Sequence, residues 1–234
     1  MADIVKAVVA DGALRSLNGL LDGWTCILER LVETWQPEDV PWWYNERASL
    51  SVLAGAVWAA GDVAFEEFSS EKERRRSKRN FKGRIDVRFC YGGTDFVAEA
   101  KQSWPLIGRQ ARSAQTAIEN DLRHAKKDVR RAPADEGQKL AIVFASPSFP
   151  PAELDDLDGC LMRWRQVFGR IESEAKAFVW VRNCEWILAE ADGYVYPGTA
   201  VIIRSITGRC RHHQERASNH RMHARRVRPR DPER

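Results

Sequence analysis

The 234-residue chain has no run near the roughly 18 consecutive apolar residues that a membrane span requires, and no basic segment followed by an apolar one at its N-terminus. A membrane protein and a secreted precursor are thereby set aside, and a cytoplasmic chain without a membrane partner is expected. Cysteine is scarce: Cys26, Cys90, Cys160, Cys184 and Cys210 are scattered, odd in number and form no C-x-x-C pair. That excludes a disulfide framework and a zinc ribbon. No internal repeat is evident. An excess of basic charge is also missing from most of the chain. Of 37 basic and 33 acidic residues, nine arginines and three acidic residues follow Gly208, which leaves 28 basic against 30 acidic before it. Net basicity alone is therefore no argument for nucleic-acid binding.

What is present is an ordinary globular composition, 44% apolar and 30% charged, on a length that suits one well-cored domain with appendages. Leu14, Leu17, Leu21, Trp24, Leu28, Leu31 and Trp35 recur at helical spacing, so residues 3–35 are expected as one helix, or two with a break near Gly12. This gives an N-terminal helical arm over 1–40. A second helix is expected from about Trp43 to Ala60, with Leu50, Leu53, Val57 and Ala60 buried. Strands follow over Val63–Phe68, Arg84–Tyr91 and Thr94–Lys101, the first two separated by a charged, solvated linker at 71–80.

A third helix over Arg112–Arg131 would bury Ala114, Ile118, Leu122, Ala125 and Val129, and Lys139–Ala145 reads as a fully buried strand. The order is αβββαβ, an α/β fold with a mixed central sheet. Beyond it a helix from Pro151 to about Ser173 is expected, then strands around Phe178–Val181, near Trp186 and at Val201–Ile203. The main domain is placed at 41–207, and 208–234, with almost no apolar residues, is expected to be a disordered basic tail.

The Tyr91-Gly92-Gly93-Thr94 segment suits a two-residue type I′ hairpin loop, whose central residues take positive φ. That choice places Asp86 opposite Glu99, with Cβ atoms roughly 5 Å apart. Lys101 shares their face. Ile85, Val87, Phe89 and Tyr91 fall with Phe96, Ala98 and Ala100 on an apolar face, and Arg84, Asp86, Arg88, Asp95, Glu99 and Lys101 occupy the other. Two facing carboxylates repel unless a positive charge lies between them, and a hard divalent cation with oxygen ligands is the usual resolution.

Ile85-Asp86, followed after a hairpin by Glu99-Ala100-Lys101, resembles the PD-(D/E)XK, or restriction-endonuclease-like, nuclease superfamily; Ile85 stands where the family has proline. The resemblance covers roughly residues 43–146 and includes the αβββαβ order. It implies Mg²⁺-dependent phosphodiester hydrolysis, with Mn²⁺ as a substitute, by a nuclease acting on nucleic acid, DNA before RNA. Asp86 and Glu99 would hold the metal, and Lys101 would orient or activate the attacking water. Members often add an acidic residue from the preceding helix. Glu46 is the candidate here as a catalytic and metal-binding residue, with Glu66 or Glu67 as competitors and capping of its helix as the plain alternative. The same fold kept as a non-catalytic binding module is the competing class of function.

Gln102, next to the lysine, and Arg109, Arg112, Arg123, Lys126 and Lys127, on or before the third helix, are candidates for nucleic-acid contact. Trp42, Trp43 and Trp104 flank the site and could stack on bases or fill the core. Glu174-Ala175-Lys176 repeats the acid-x-lysine letters after Asp156 and Asp158. Lacking a hairpin partner, it reads as a solvated helix end. Cys210, His212, His213, His220 and His223 in the tail match no zinc-finger spacing. A homodimer, through the N-terminal helix, is left open.

Overall fold

The computed structural model describes residues 3–35, 39–72, 81–108, 111–133, 137–183, 188–189 and 193–206. Of 70–72, 81–82, 111–112 and 188–189 only the backbone is described. Seven strands form one mixed sheet: β1 (Ile4–Ala10), β2 (Val63–Lys72), β3 (Phe81–Tyr91), β4 (Thr94–Ser103), β5 (Gln138–Ala145), β6 (Ala175–Val181) and, after two short strands, β9 (Gly198–Ser205). The order across it is β1-β6-β9-β5-β4-β3-β2. Only β4 and β5 run parallel, and every other neighbouring pair is antiparallel. The short strands β7 (Leu188–Ala189) and β8 (Tyr194–Val195) pair as a separate ribbon.

Four α-helices flank the sheet: α1 (Asn18–Trp35), α2 (Glu46–Ala59), α3 (Ala111–Val129) and α4 (Leu157–Arg170). Their placement follows from two adjacent residues of β4. Gln102 hydrogen-bonds Ser49 of α2, whereas Lys101 pairs with Asp128 of α3. Successive strand side chains point to opposite faces, so α2 and α3 cover opposite faces of the sheet. α1 packs on α2 and β6, and α4 packs on α3. The chain is thus an α/β protein in three layers. Leu140 to Ala145 of β5 are wholly buried because both faces of their strand are covered, which is why KLAIVFA reads as a continuous apolar run.

The N-terminal expectation is corrected in part. Residues 4–10, IVKAVVA, are not helical; they form the edge strand β1, antiparallel to β6. β-branched Ile4, Val5, Val8 and Val9 suit a pleated strand better than a helix. The helical periodicity begins only at Leu14, in a 3-10 turn over Gly12–Leu17, and continues through α1, where Leu21, Trp24 and Leu28 are buried and Trp35 is 47% exposed. These elements share the sheet and the hydrophobic core of the rest of the chain.

α2 begins three residues later than expected. Its N-cap is Asn45, whose side chain accepts hydrogen bonds from the amides of Arg47 and Ala48, a contribution of about 1 kcal/mol. Ala60, placed in its buried stripe, is exposed. In α3 all five predicted core positions are buried. The helix expected from Pro151 divides into a 3-10 turn, Pro151–Asp156, and α4, started by the Asp156 side chain on the Gly159 amide. Trp186, residues 73–80 of the charged linker, and the tail from 207 with its histidines and cysteine lie outside the described residues.

Candidate active site

The hairpin of β3 and β4 has the register that its glycines imply. Gly92 and Gly93 take φ of 56° and 77°, and pairing runs from Tyr91↔Thr94 to Val87↔Ala98. It then stops, one pair short of Asp86 and Glu99. On the other side of β3 the ladder with β2 skips the same residue: Glu66↔Val87 and Phe68↔Ile85 are paired, Glu67 and Asp86 are not, and Glu67 has φ of 49°. Positive φ at a residue with a side chain is uncommon, and it marks the place where the sheet's regular pleat is interrupted.

The consequence is visible in the core. Val87, Phe89, Phe96, Ala98 and Ala100 belong to the main cluster, but Ile85 packs with Val97 and Ala132 in a separate one. The even alternation expected through Ile85 fails because the pleat is reset at Asp86.

β3 and β4 therefore fork at Asp86, and the freed edge of β4 is taken up by carboxylates. Asp86 Oδ2 accepts the Ala100 amide at 2.8 Å. The carboxyl of Glu46, on the first turn of α2, lies close enough to the Gln102 backbone N–H for that N–H to favour its charged form. Ala100 and Gln102 are two residues apart on one strand edge, so their amides are spaced by about 6.6 Å. Asp86, half-buried, and Glu46, half-buried, thus stand side by side along β4. Burial pushes the Glu46 carboxyl above the ordinary glutamate range; Lys101 opposes this, and the charges of Asp86 and Glu67 add to it. Asn45 performs the capping, so capping does not account for Glu46.

Glu99 is buried, 4% exposed, and faces α3 with Lys101 by strand alternation. Lys101 Nζ donates to the Ala100 carbonyl at 2.6 Å and stands 3.8 Å from Asp128 Oδ2. Asp128 is a residue that the sequence reading missed. It precedes buried Val129 on α3, and nothing in its local pattern tells which strand residue it meets.

Of the competing acids, Glu67 is engaged by Arg47 and, at 2.5 Å, by Arg84, and Glu66 accepts from Ser51 Oγ at 2.9 Å. Glu46 is the one whose carboxyl reaches β4. The carboxylates of Asp86, Glu99 and Glu46 are the hard oxygen donors that Mg²⁺ or Mn²⁺ takes, and their mutual repulsion is the kind a cation relieves. Among the described residues, however, no three His, Cys, Asp or Glu side chains already converge on one point.

Gln102, the candidate nucleic-acid contact next to the lysine, is engaged within the protein. Its Oε1 accepts from Ser49 Oγ at 3.1 Å, and its Nε2 donates to Ser146 Oγ at 3.0 Å. Ser146, fully buried, also bonds the Trp42 carbonyl and Thr199 Oγ1. Both ends of the amide are spent on holding α2 to the sheet beside the fork. Arg123 is exposed and bonds Asn120; Lys127 is exposed and Lys126 half-buried. Arg109 and the side chain of Arg112 lie outside the described residues. Trp42 is a core residue whose Nε1 donates to the Tyr196 carbonyl, while Trp104 is 46% exposed.

No helix of the described residues is long and apolar enough to cross a membrane. Comparisons with family models, with curated proteins and with solved structures found no match to the chain.

Proposed function

We propose that the chain is a metal-dependent nuclease of the restriction-endonuclease-like class, hydrolysing phosphodiester bonds, DNA before RNA, at the fork of β3 and β4. The observation that carries this reading is the fork itself. A sheet interrupted on both sides of Asp86 gives up ladder hydrogen bonds, and the edge of β4 so released is occupied by Asp86 and Glu46, with Glu99 and Lys101 on the same short stretch. Interrupted pairing that gathers charge is a feature of sites more than of frameworks. The succession α2-β2-β3-β4-α3-β5 supports the same class.

Asp86, Glu99 and Glu46 would hold Mg²⁺, which when bound supplies a Lewis acid and an activated water. Asp86 is oriented by the Ala100 amide, and Glu46 stands beside the Gln102 backbone N–H. The Lys101 ammonium places positive charge beside them, where it stabilises negative charge developing on a phosphate oxygen. Arg123, Lys126 and Lys127 on α3 would meet the flanking phosphates.

A second reading, a binding module on this fold, is favoured by the separation of the carboxylates. One experiment tests both: purified protein is incubated with plasmid, linear and single-stranded DNA and with RNA in Mg²⁺ or Mn²⁺, with Lys101→Ala and an EDTA lane as controls. Cleavage lost in both controls is the expected result. Cleavage that survives in Lys101→Ala, or no cleavage of any substrate, overturns the nuclease reading.

A further inference from the structure

We infer that Asp128, on the last turn of α3, is the positioning residue for Lys101; the inference rests on the nuclease reading of the same site. A lysine side chain has four rotatable carbon bonds and loses about 2 kcal/mol of rotamer entropy when fixed. An ammonium that serves one phosphate oxygen needs a second contact to hold it, because misplacement by an ångström removes much of its effect. Lys101 has that contact. Its Nζ is held between the Ala100 carbonyl at 2.6 Å and Asp128 Oδ2 at 3.8 Å.

Asp128 is itself shared. Its Oδ1 lies 3.6 Å from Arg131 Nη1, one turn further along the chain. A single carboxylate thus ties the site lysine to the basic end of the helix whose Arg123, Lys126 and Lys127 are the candidate phosphate contacts. The side chains of Lys101 and Asp128 are 29% and 33% exposed, and ion pairs so open to solvent add little to stability. The pair's effect is on where the ammonium stands, and hence on turnover rather than on folding.

The test uses the full chain with Asp128→Asn and Asp128→Glu, and two readouts. The first is reductive methylation of Lys101 by formaldehyde and borane without nucleic acid, read by peptide mass spectrometry against exposed Lys127. Lys101 labelling is expected to rise severalfold in Asp128→Asn and to return toward the wild-type level in Asp128→Glu. The second is steady-state cleavage of whichever DNA the wild-type protein cuts. In Asp128→Asn, kcat is expected to fall roughly tenfold with KM within about twofold, and Asp128→Glu to recover most of it.

Unchanged labelling in Asp128→Asn overturns the inference, as does a rise in KM at constant kcat, which would make Asp128 a binding residue. A wild-type protein that cuts nothing overturns the nuclease reading separately, while the labelling still decides whether Asp128 holds Lys101.

Discussion

The letters Glu-Ala-Lys occur twice on this sheet, and the structure gives the two copies different work. Glu99-Ala100-Lys101 lies in β4 at the fork, where the amide of its alanine is taken by Asp86 and its lysine faces Asp128. Glu174-Ala175-Lys176 leads into β6, which begins at its alanine. Its lysine is not solvated, as the sequence had suggested, but donates to the carbonyls of Phe168 and Ile171 at 2.7 and 2.8 Å and lies 4.9 Å from the Phe168 ring centre. Burial lowers its pKa. Glu174 accepts the Ser205 amide. One copy is anchored to a helix end whose orphan carbonyls need donors; the other stands where a strand pair opens and several carboxylates meet. The comparison teaches that three residues acquire their chemistry from the neighbouring strand, not from their own spelling.

The sharpest way to break this contrast is a pair of alanine variants. Lys101→Ala is expected to reduce cleavage at least 100-fold, about 2.7 kcal/mol of transition-state stabilisation, with little change in Tm. Lys176→Ala is expected to leave cleavage per folded molecule unchanged and to lower Tm by several degrees, since two buried carbonyls lose their donor at about 1–3 kcal/mol. Activity assays and calorimetry on both variants decide it; equal losses of activity would erase the distinction. Next in size, Asp86→Ala should weaken Mn²⁺ binding at least tenfold by isothermal titration calorimetry. Unaltered affinity would remove Asp86 from the site.

Smaller effects sharpen the picture of the fork. Gln102→Leu leaves Ser49 and Ser146 without their amide partner, at about 1–3 kcal/mol for the buried pair, so chemical denaturation should register a clear loss of stability. A variant as stable as wild type would return Gln102 to the role of a substrate contact. Smallest is Glu46→Gln. Burial raises the Glu46 pKa in the folded state, so the protonated form is favoured there. Stability associated with that proton is fully present below the ordinary glutamate value and is lost as pH rises through the raised one. Glu46→Gln should therefore melt at or slightly above the wild-type Tm at neutral pH, with the difference vanishing in acid. A lower Tm at neutral pH would contradict the burial of a charge there.

Much of this was legible beforehand where one periodicity dominated. Ala114, Ile118, Leu122, Ala125 and Val129 repeat at helical spacing and are all buried. The Gly92-Gly93 turn specified a register that the hairpin keeps for every pair it forms. Residues 4–10 misled because a leucine stripe beginning at Leu14 was extended backward across them. Their β-branched composition was the missed signal, but the partner that makes them a strand, β6, lies some 170 residues away in the sequence.

The candidate site divides along the same line. Asp86, Glu99 and Lys101 could be placed on one hairpin from local spacing, since a two-residue turn is a short-range constraint, and Glu46 followed from the resemblance. The stop in the ladder at Asp86, the shift of Ile85 to another cluster, the engagement of Gln102 by Ser49 and Ser146, and the approach of Asp128 to Lys101 were decided only by tertiary structure. Each depends on how a helix from one part of the chain settles on a strand from another, and on which backbone amides are left free once the sheet is paired. Sequence by itself determined most of the elements, β1 excepted, and the charges they carry; packing determined which of those charges meet, because long-range contacts obey volume and hydrogen-bond satisfaction and leave no local period to read.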